Sequence, residues 1–81
     1  MKSTLHVMVY DGLNTTNLSK EIDFIPSKGL IIYEPIVGTI NEVRYSKAGY
    51  HAQLEKVLEP TNPDHQVEFL KKIGFIITSN S

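Results

Sequence analysis

Cysteine is absent from this 81-residue chain, and so is tryptophan. Without cysteine the chain can form neither a disulfide framework nor a thiolate metal site, and its composition suits a reducing compartment. No apolar run approaches the roughly 20 residues of a membrane-spanning helix. The first residues alternate in polarity and lack the unbroken apolar region of a signal peptide. We therefore expect a cytoplasmic protein with no membrane segment.

A charge excess of either sign is also lacking. The chain contains eight Lys and Arg residues and nine Asp and Glu residues, which gives a net charge of −1. No overall field then attracts nucleic acid or an anionic membrane. With 41% hydrophobic residues the chain is too apolar for disorder, and at this length we expect residues 1–81 to form a single small globular domain.

The most informative stretch is a long β-hairpin in the middle of the chain. Two β-prone runs, 36–45 and 50–58, flank the four-residue connection Ser46–Gly49. Such a connection sets the register and places Tyr45 opposite Tyr50, Val43 opposite Ala52 and Asn41 opposite Leu54, with Arg44–His51 and Glu42–Gln53 on the other face. One face of this hairpin is therefore apolar and the other polar.

The alternation of this hairpin breaks in both strands at the same level. Ile40 and Val43 are three residues apart, as are Leu54 and Val57. The apolar residues therefore change from even to odd positions, or the reverse, at this level of both strands. A β-bulge explains the switch, and Gly38 removes a Cβ where the bend would be crowded.

Further strands are expected at 4–10, 18–25 and 30–33, with a loop at 13–17 and a turn at 26–29. Pro63 at a first helical position and Gly74 past the last turn predict a helix from Pro63 to Ile73, which Asn62 would cap. If Gly74 is left-handed, Leu70 and Phe75 take the two positions that touch in a Schellman ending. An extended segment, 75–78, follows.

These elements predict a mainly β (α+β) fold with about five antiparallel strands, curled into a small, partly open barrel of the SH3-like type, and one C-terminal helix. The alternative is an open antiparallel sheet with the helix packed on one face. The expected core consists of Leu5, Val7, Val9, Ile22, Phe24, Leu30, Ile32, Val43, Leu54, Leu70 and Phe75. Because Met8 and Tyr10 share a strand with core residues, we expect that strand to be buried on both sides near its end.

No spacing of side chains in the sequence is typical of an active site. The histidines His6, His51 and His65 form no i, i+4 pair and no zincin pattern. No Gly-x-Ser-x-Gly elbow, cysteine nucleophile or phosphate-binding glycine loop is present. We expect no catalytic residue, no metal ligand and no cofactor.

The polar hairpin face is the candidate surface for a partner, consisting of Glu42, Arg44, His51, Gln53, Tyr45 and Tyr50. The same side chains also suit an ordinary solvated sheet face with cross-strand pairs. We therefore expect a non-enzymatic protein-interaction module with a protein partner.

Single-stranded nucleic acid is the alternative partner. Tyr33, Tyr45 and Tyr50 would stack bases, while Lys28, Arg44 and Lys47 would reach phosphates. The charge balance disfavours this alternative, because counterion release dominates such binding. An enzyme with an unrecognised site is less favoured still.

Self-association is a further expectation. The uncharged segment Phe75, Ile76, Ile77 and Thr78 must pair its backbone either with an edge strand of its own chain or with a second copy, which would give a homodimer.

Overall fold

Six strands and one helix make up the described part of the chain. The computed structural model describes residues 2–10, 12–55 and 63–80. The elements in chain order are β1 (Ser3–Tyr10), β2 (Thr15–Ile22), β3 (Ile31–Ile32), β4 (Gly38–Ser46), β5 (Gly49–Leu54), α1 (Pro63–Lys72) and β6 (Ile76–Asn80). Within these residues, α1 is too short and too polar to cross a membrane.

The strands form a single mixed sheet in the order β3-β4-β5-β1-β2-β6. β1 runs parallel to β5, and every other neighbouring pair is antiparallel. The mainly β architecture with one helix is confirmed. The SH3-like barrel is not, because β3 and β6 end the sheet without pairing with each other, and the sheet has six strands where five were expected.

The inner face of the sheet, which carries Leu5, Val7 and Val9 of β1, packs against α1 through the fully buried Leu70. Alternation along β1 buries every second side chain, as expected for a strand with one covered face. The core consists of Leu5, Val7, Val9, Leu18, Ile22, Ile32, Ile36, Ile40, Ala52, Leu54, Leu70 and Phe75.

The predicted core agrees with this set in most positions. Phe24 and Val43 are only partly buried at its margin, and Leu30 was wrongly assigned because it is 37% exposed. Four buried residues, Leu18, Ile36, Ile40 and Ala52, were not expected there.

β2 begins earlier than its polar sequence suggested. The predicted loop at 13–17 is wrong from Thr15 onward, since the pairing with β1 runs unbroken from Ser3 opposite Ile22 to Tyr10 opposite Thr15. The β-branched threonines suit a strand, and pairing along the whole of β1 outweighs their polarity. The predicted end of β2 at Ile25 is likewise wrong, because the strand ends at Ile22.

The central hairpin has the predicted register near its loop, but its strands extend to Ser46 and Gly49, so the connection is Lys47–Ala48 and not the four residues expected. Tyr45 faces Tyr50, Val43 faces Ala52, Arg44 faces His51 and Glu42 faces Gln53. The predicted bulge is confirmed, since the register shifts between Ile40 and Glu42. Leu54 therefore lies opposite Ile40 and not opposite Asn41, as first expected. The predicted continuation of the second strand to 58 reaches residues outside the described part.

Gly38 is the first residue of β4 and precedes the register shift between Ile40 and Glu42. A Cβ built on Gly38 would come within 2.8 Å of the Leu54 side chain, so the absence of a side chain lets Leu54 fill the core there. The packing of Leu54 against β4 thus requires a glycine at position 38.

The end of α1 is the predicted Schellman motif. Phe75 N donates to Leu70 O (2.9 Å), Gly74 N donates to Lys71 O (3.2 Å), and Gly74 is left-handed with φ +109°. Leu70 and Phe75 are both buried, which directs the chain from the helix into β6. The expected cap Asn62 lies outside the described residues.

Gly49, the first residue of β5, lies against the backbone of Lys2, just before β1, where the two hairpins meet. Its φ is +113°, a Cβ there would collide with the Lys2 carbonyl, and the neighbouring Tyr50 N donates to that carbonyl (3.0 Å). Gly12 also has a positive φ (+98°), but nothing lies within 4 Å of its Cβ position. Gly12→Ala should cost about 1–2 kcal/mol from backbone strain alone, and Gly49→Ala at least about 2 kcal/mol more from the collision.

Urea unfolding of the two variants measures this difference. Equal losses of unfolding free energy would show that the close approach of Gly49 to Lys2 does not contribute to stability.

Candidate functional site

The outer face of the sheet, opposite Leu5, Val7 and Val9, carries a row of side chains from five adjacent strands. The registers align, from β4 to β6, Glu42, Gln53, His6, Ser19 and Ile76. A neighbouring row contains Arg44, His51, Thr4 and Glu21. Side chains far apart in the sequence therefore lie side by side on this face.

His6 and His51 meet at the centre of these two rows. His6 Nε2 lies 3.0 Å from His51 Nδ1, and both side chains are half-buried. The ring centroids are 5.2 Å apart and the ring planes are inclined at 27°. This centroid distance is close to the length of the N···N hydrogen bond plus the radii of the two rings, as expected when the two nitrogens lie on the line between the centroids. The rings therefore meet edge to edge through their nitrogens and share one N–H···N hydrogen bond, without stacking face to face.

This contact affects the ionisation of His6. Burial lowers the pKa of His6 below its ordinary value of 6.5, and the neighbouring His51 lowers this pKa further. Both causes disfavour the charged imidazolium. The pair is therefore held with a neutral His6 at neutral pH, one ring donating and the other accepting.

Arg44 forms an ion pair with Glu42, two residues before it on β4. The side chains are 79% and 51% exposed, so solvent screens the pair, and its contribution to stability is about 0–1 kcal/mol. The pair neutralises the guanidinium charge on the outer face. His51, which the register places opposite Arg44, contacts His6 instead.

A cavity of about 510 Å³ surrounds the histidine pair. Its lining residues are His6, Glu42, Arg44, Tyr45, Ser46, His51, Ala52 and Gln53. Five of the six predicted surface residues border this cavity, and Tyr50 does not. Tyr50 contacts Tyr45, with ring centroids 5.0 Å apart and planes at 55°. We refer to the cavity as the histidine cavity.

Three outer-face residues of β1, namely His6, Met8 and Tyr10, were not among the predicted surface residues. The expectation that β1 is buried on both sides near its end is wrong, since Met8 is 54% and Tyr10 66% exposed. The alternation of β1 places all three side chains on one face. However, His6 lies beside the central hairpin only because β1 pairs with β5. No local sequence pattern predicts this pairing.

The histidine cavity offers few groups for catalysis. One of its hydroxyls, Ser46 Oγ, accepts a hydrogen bond from Ala48 N (3.2 Å) within the hairpin turn, and Ser46 lies two positions after Arg44, on the same face of β4. Among residues 2–10, 12–55 and 63–80 no three His, Asp or Glu side chains group as metal ligands. The remaining expected site residues, Phe75 to Thr78, lie at the other end of the sheet.

Comparison with known proteins identifies no relative: the chain matches no protein-family model, and no curated protein or solved structure is detectably similar to it.

The lowered pKa of His6 predicts a pH dependence of stability. Between the folded pKa and 6.5 the unfolded chain binds more protons at this position, so the unfolding free energy falls as the pH decreases through 6.5. His6→Gln removes this contribution. Its unfolding free energy should therefore decrease less than that of the parent chain between about pH 7.5 and about pH 5.5.

Urea unfolding at both pH values measures the two decreases, with His65→Gln as the control that removes a histidine outside the pair. Equal decreases in the parent chain and in His6→Gln would contradict the prediction.

Proposed function

We propose that this chain is a non-enzymatic protein-interaction module that binds a protein partner on the outer face of its sheet. The observation that carries the proposal is the exposure of large side chains on a regular face, Met8 at 54% and Tyr10 at 66%, beside the histidine cavity. Tyrosine and methionine are enriched at protein interfaces because they bury much apolar area. Hydrogen-bonding groups at one side of such a patch give it specificity.

The arrangement of this face suits a partner with an apolar centre and a polar edge. Met8 and Tyr10 continue the outer-face series of β1 beyond His6, while Arg44, Glu42 and Gln53 border the histidine cavity on the other side. A partner spanning both regions would bury the aromatic and apolar groups and exchange hydrogen bonds with the polar ones.

Single-stranded nucleic acid fits this surface less well. Tyr45 and Tyr50 contact each other, and alternation along β4 places Tyr45 on the face opposite to Arg44. Arg44 is paired with Glu42, and Glu21 adds a negative charge in the neighbouring row. These tyrosines and this cation do not form one base-stacking, phosphate-binding surface. We further propose a cytoplasmic location, consistent with the cysteine-free sequence.

Two exposed tyrosines allow a matched test of the proposed surface. Tyr10 is on the outer face and Tyr33, which is 74% exposed, lies outside the strands after β3. A partner captured from the source cells should be purified and titrated calorimetrically against each variant. Tyr10→Ala should weaken its binding at least about tenfold, as expected for an aromatic anchor, whereas Tyr33→Ala should leave it unchanged.

The competing partner is tested in the same series with mixed-sequence single-stranded oligonucleotides. Oligonucleotide binding that weakens steeply with increasing salt concentration would favour nucleic acid over protein as the partner of this surface. Equal effects of the two tyrosine substitutions on the captured protein would remove the outer face as its docking site.

We also propose that the chain forms a homodimer through the edge of β6 that pairs with no described strand. This strand pairs with β2 on one side and ends the sheet on the other. Ile76 and Ile77 are 65% and 44% exposed, and the sequence of β6 contains no charge or proline of the kind that protects edge strands. The opposite edge, β3, has only two residues and offers little backbone to pair.

Pairing of β6 with β6 of a second copy about a two-fold axis would satisfy both edges with the same surface. Because β6 already belongs to the sheet of its own chain, deleting it would disturb the fold, and a charge on its exposed side chain is the better test. Ile76→Lys should convert a dimer at micromolar concentration into a monomer in sedimentation equilibrium.

Ile25→Lys is the matched control for this dimer test, since Ile25 is 67% exposed and lies outside the strands. A monomeric parent chain, or a dimer that Ile76→Lys leaves intact, would refute pairing through β6.

A further inference from the structure

We propose that His6 and His51 form a binding site for a divalent first-row transition-metal ion, with Cu²⁺ as the preferred ion. The proposal is independent of the protein partner and of the dimer proposed above. It rests on two imidazoles that adjacent parallel strands bring into direct contact, with His6 Nε2 3.0 Å from His51 Nδ1, at the wall of an open cavity.

The distance between the two nitrogens suits a shared ion. Imidazole nitrogens bind such ions at about 2.0–2.1 Å, so two of them in neighbouring positions at a right angle are about 2.9 Å apart. A tetrahedral ion would need a wider separation. The hydrogen bond sets the 3.0 Å observed, so bringing both nitrogens onto one tetragonal ion, the geometry of Cu²⁺ and Ni²⁺, needs rotation of the rings and almost no change in their separation. Among these, Cu²⁺ binds nitrogen ligands most tightly.

Binding requires a change of ring direction and of one tautomer. The nitrogens now point at each other through one N–H···N bond, so the rings must tilt until both lone pairs converge on a point in the cavity. The ring that donates this bond moves its proton to its other nitrogen, which leaves His6 protonated on Nδ1 and His51 on Nε2. The proton stays on the ring that donated it, and the ion exchanges two of its water ligands for the two nitrogens.

The surroundings permit this exchange. The cavity is open on the solvent side, and water can occupy the remaining metal positions, since the described residues supply no group of three or more ligands. Glu42 neutralises the nearby Arg44, which reduces repulsion of a cation.

Titration of the purified full chain with CuSO₄ or NiSO₄ tests the site by calorimetry. The parent chain should bind one equivalent of Cu²⁺ more tightly than Ni²⁺. His6→Asn and His51→Asn should each weaken Cu²⁺ binding at least about tenfold, a loss that corresponds to one removed ligand. His65→Asn is the matched control on α1 and should bind as the parent chain does.

A second measurement uses only the parent chain, so that the result does not depend on the folding of the variants. Substoichiometric Cu²⁺, which is paramagnetic, should broaden the imidazole proton resonances of His6 and His51 together and spare those of His65.

Three outcomes would overturn the site: no Cu²⁺ binding below about millimolar concentration, equal binding by the His6 and His51 variants and the parent chain, or broadening centred on His65.

Discussion

The parallel pairing of β1 with β5 is the contact on which the rest of this structure depends. The chain forms two antiparallel hairpins, β1–β2 and β4–β5, and this pairing joins them into one sheet. It places Leu5 opposite Ala52, both fully buried, and links the backbones where Tyr50 N donates to Lys2 O. Without it the hydrophobic faces of the two hairpins would not form a common core, and an isolated two-stranded hairpin is marginally stable in water.

Local features of this fold could be read from the sequence, whereas the order of its strands could not. The register of the central hairpin follows from the short connection between Tyr45 and Tyr50, and its bulge follows from the change of parity at Ile40 and Val43. Likewise, Gly74 between Leu70 and Phe75 defines the helix end. Each of these features depends on residues close together in the chain. The pairings of β1 with β5 and of β2 with β6 join distant segments, and the barrel was predicted wrongly because consecutive strands were expected to be neighbours.

In the candidate site, too, contacts within one hairpin were predicted from the sequence and contacts between the hairpins were not. The pairs Arg44–His51 and Glu42–Gln53 were predicted because they belong to one hairpin, and the register confirms them. The partner of the His51 side chain, His6, is 45 residues away and comes from the other hairpin. The polarity of His6 could not indicate its position beside the hairpin either, since a histidine in an alternating strand suits any solvated sheet face. The sequence therefore predicted the hairpin side of the histidine cavity, including His51, but not His6, which comes from β1.

The position of the histidine pair has a consequence for how the molecule opens. Small proteins exchange their amide protons through cooperative units that often coincide with supersecondary motifs, and here the two hairpins are the natural units. His6 belongs to one hairpin and His51 to the other, so their hydrogen bond exists only while the hairpins are docked. The hydrogen bond between the two imidazoles therefore reports whether the two hairpins are docked, and not whether either hairpin is formed.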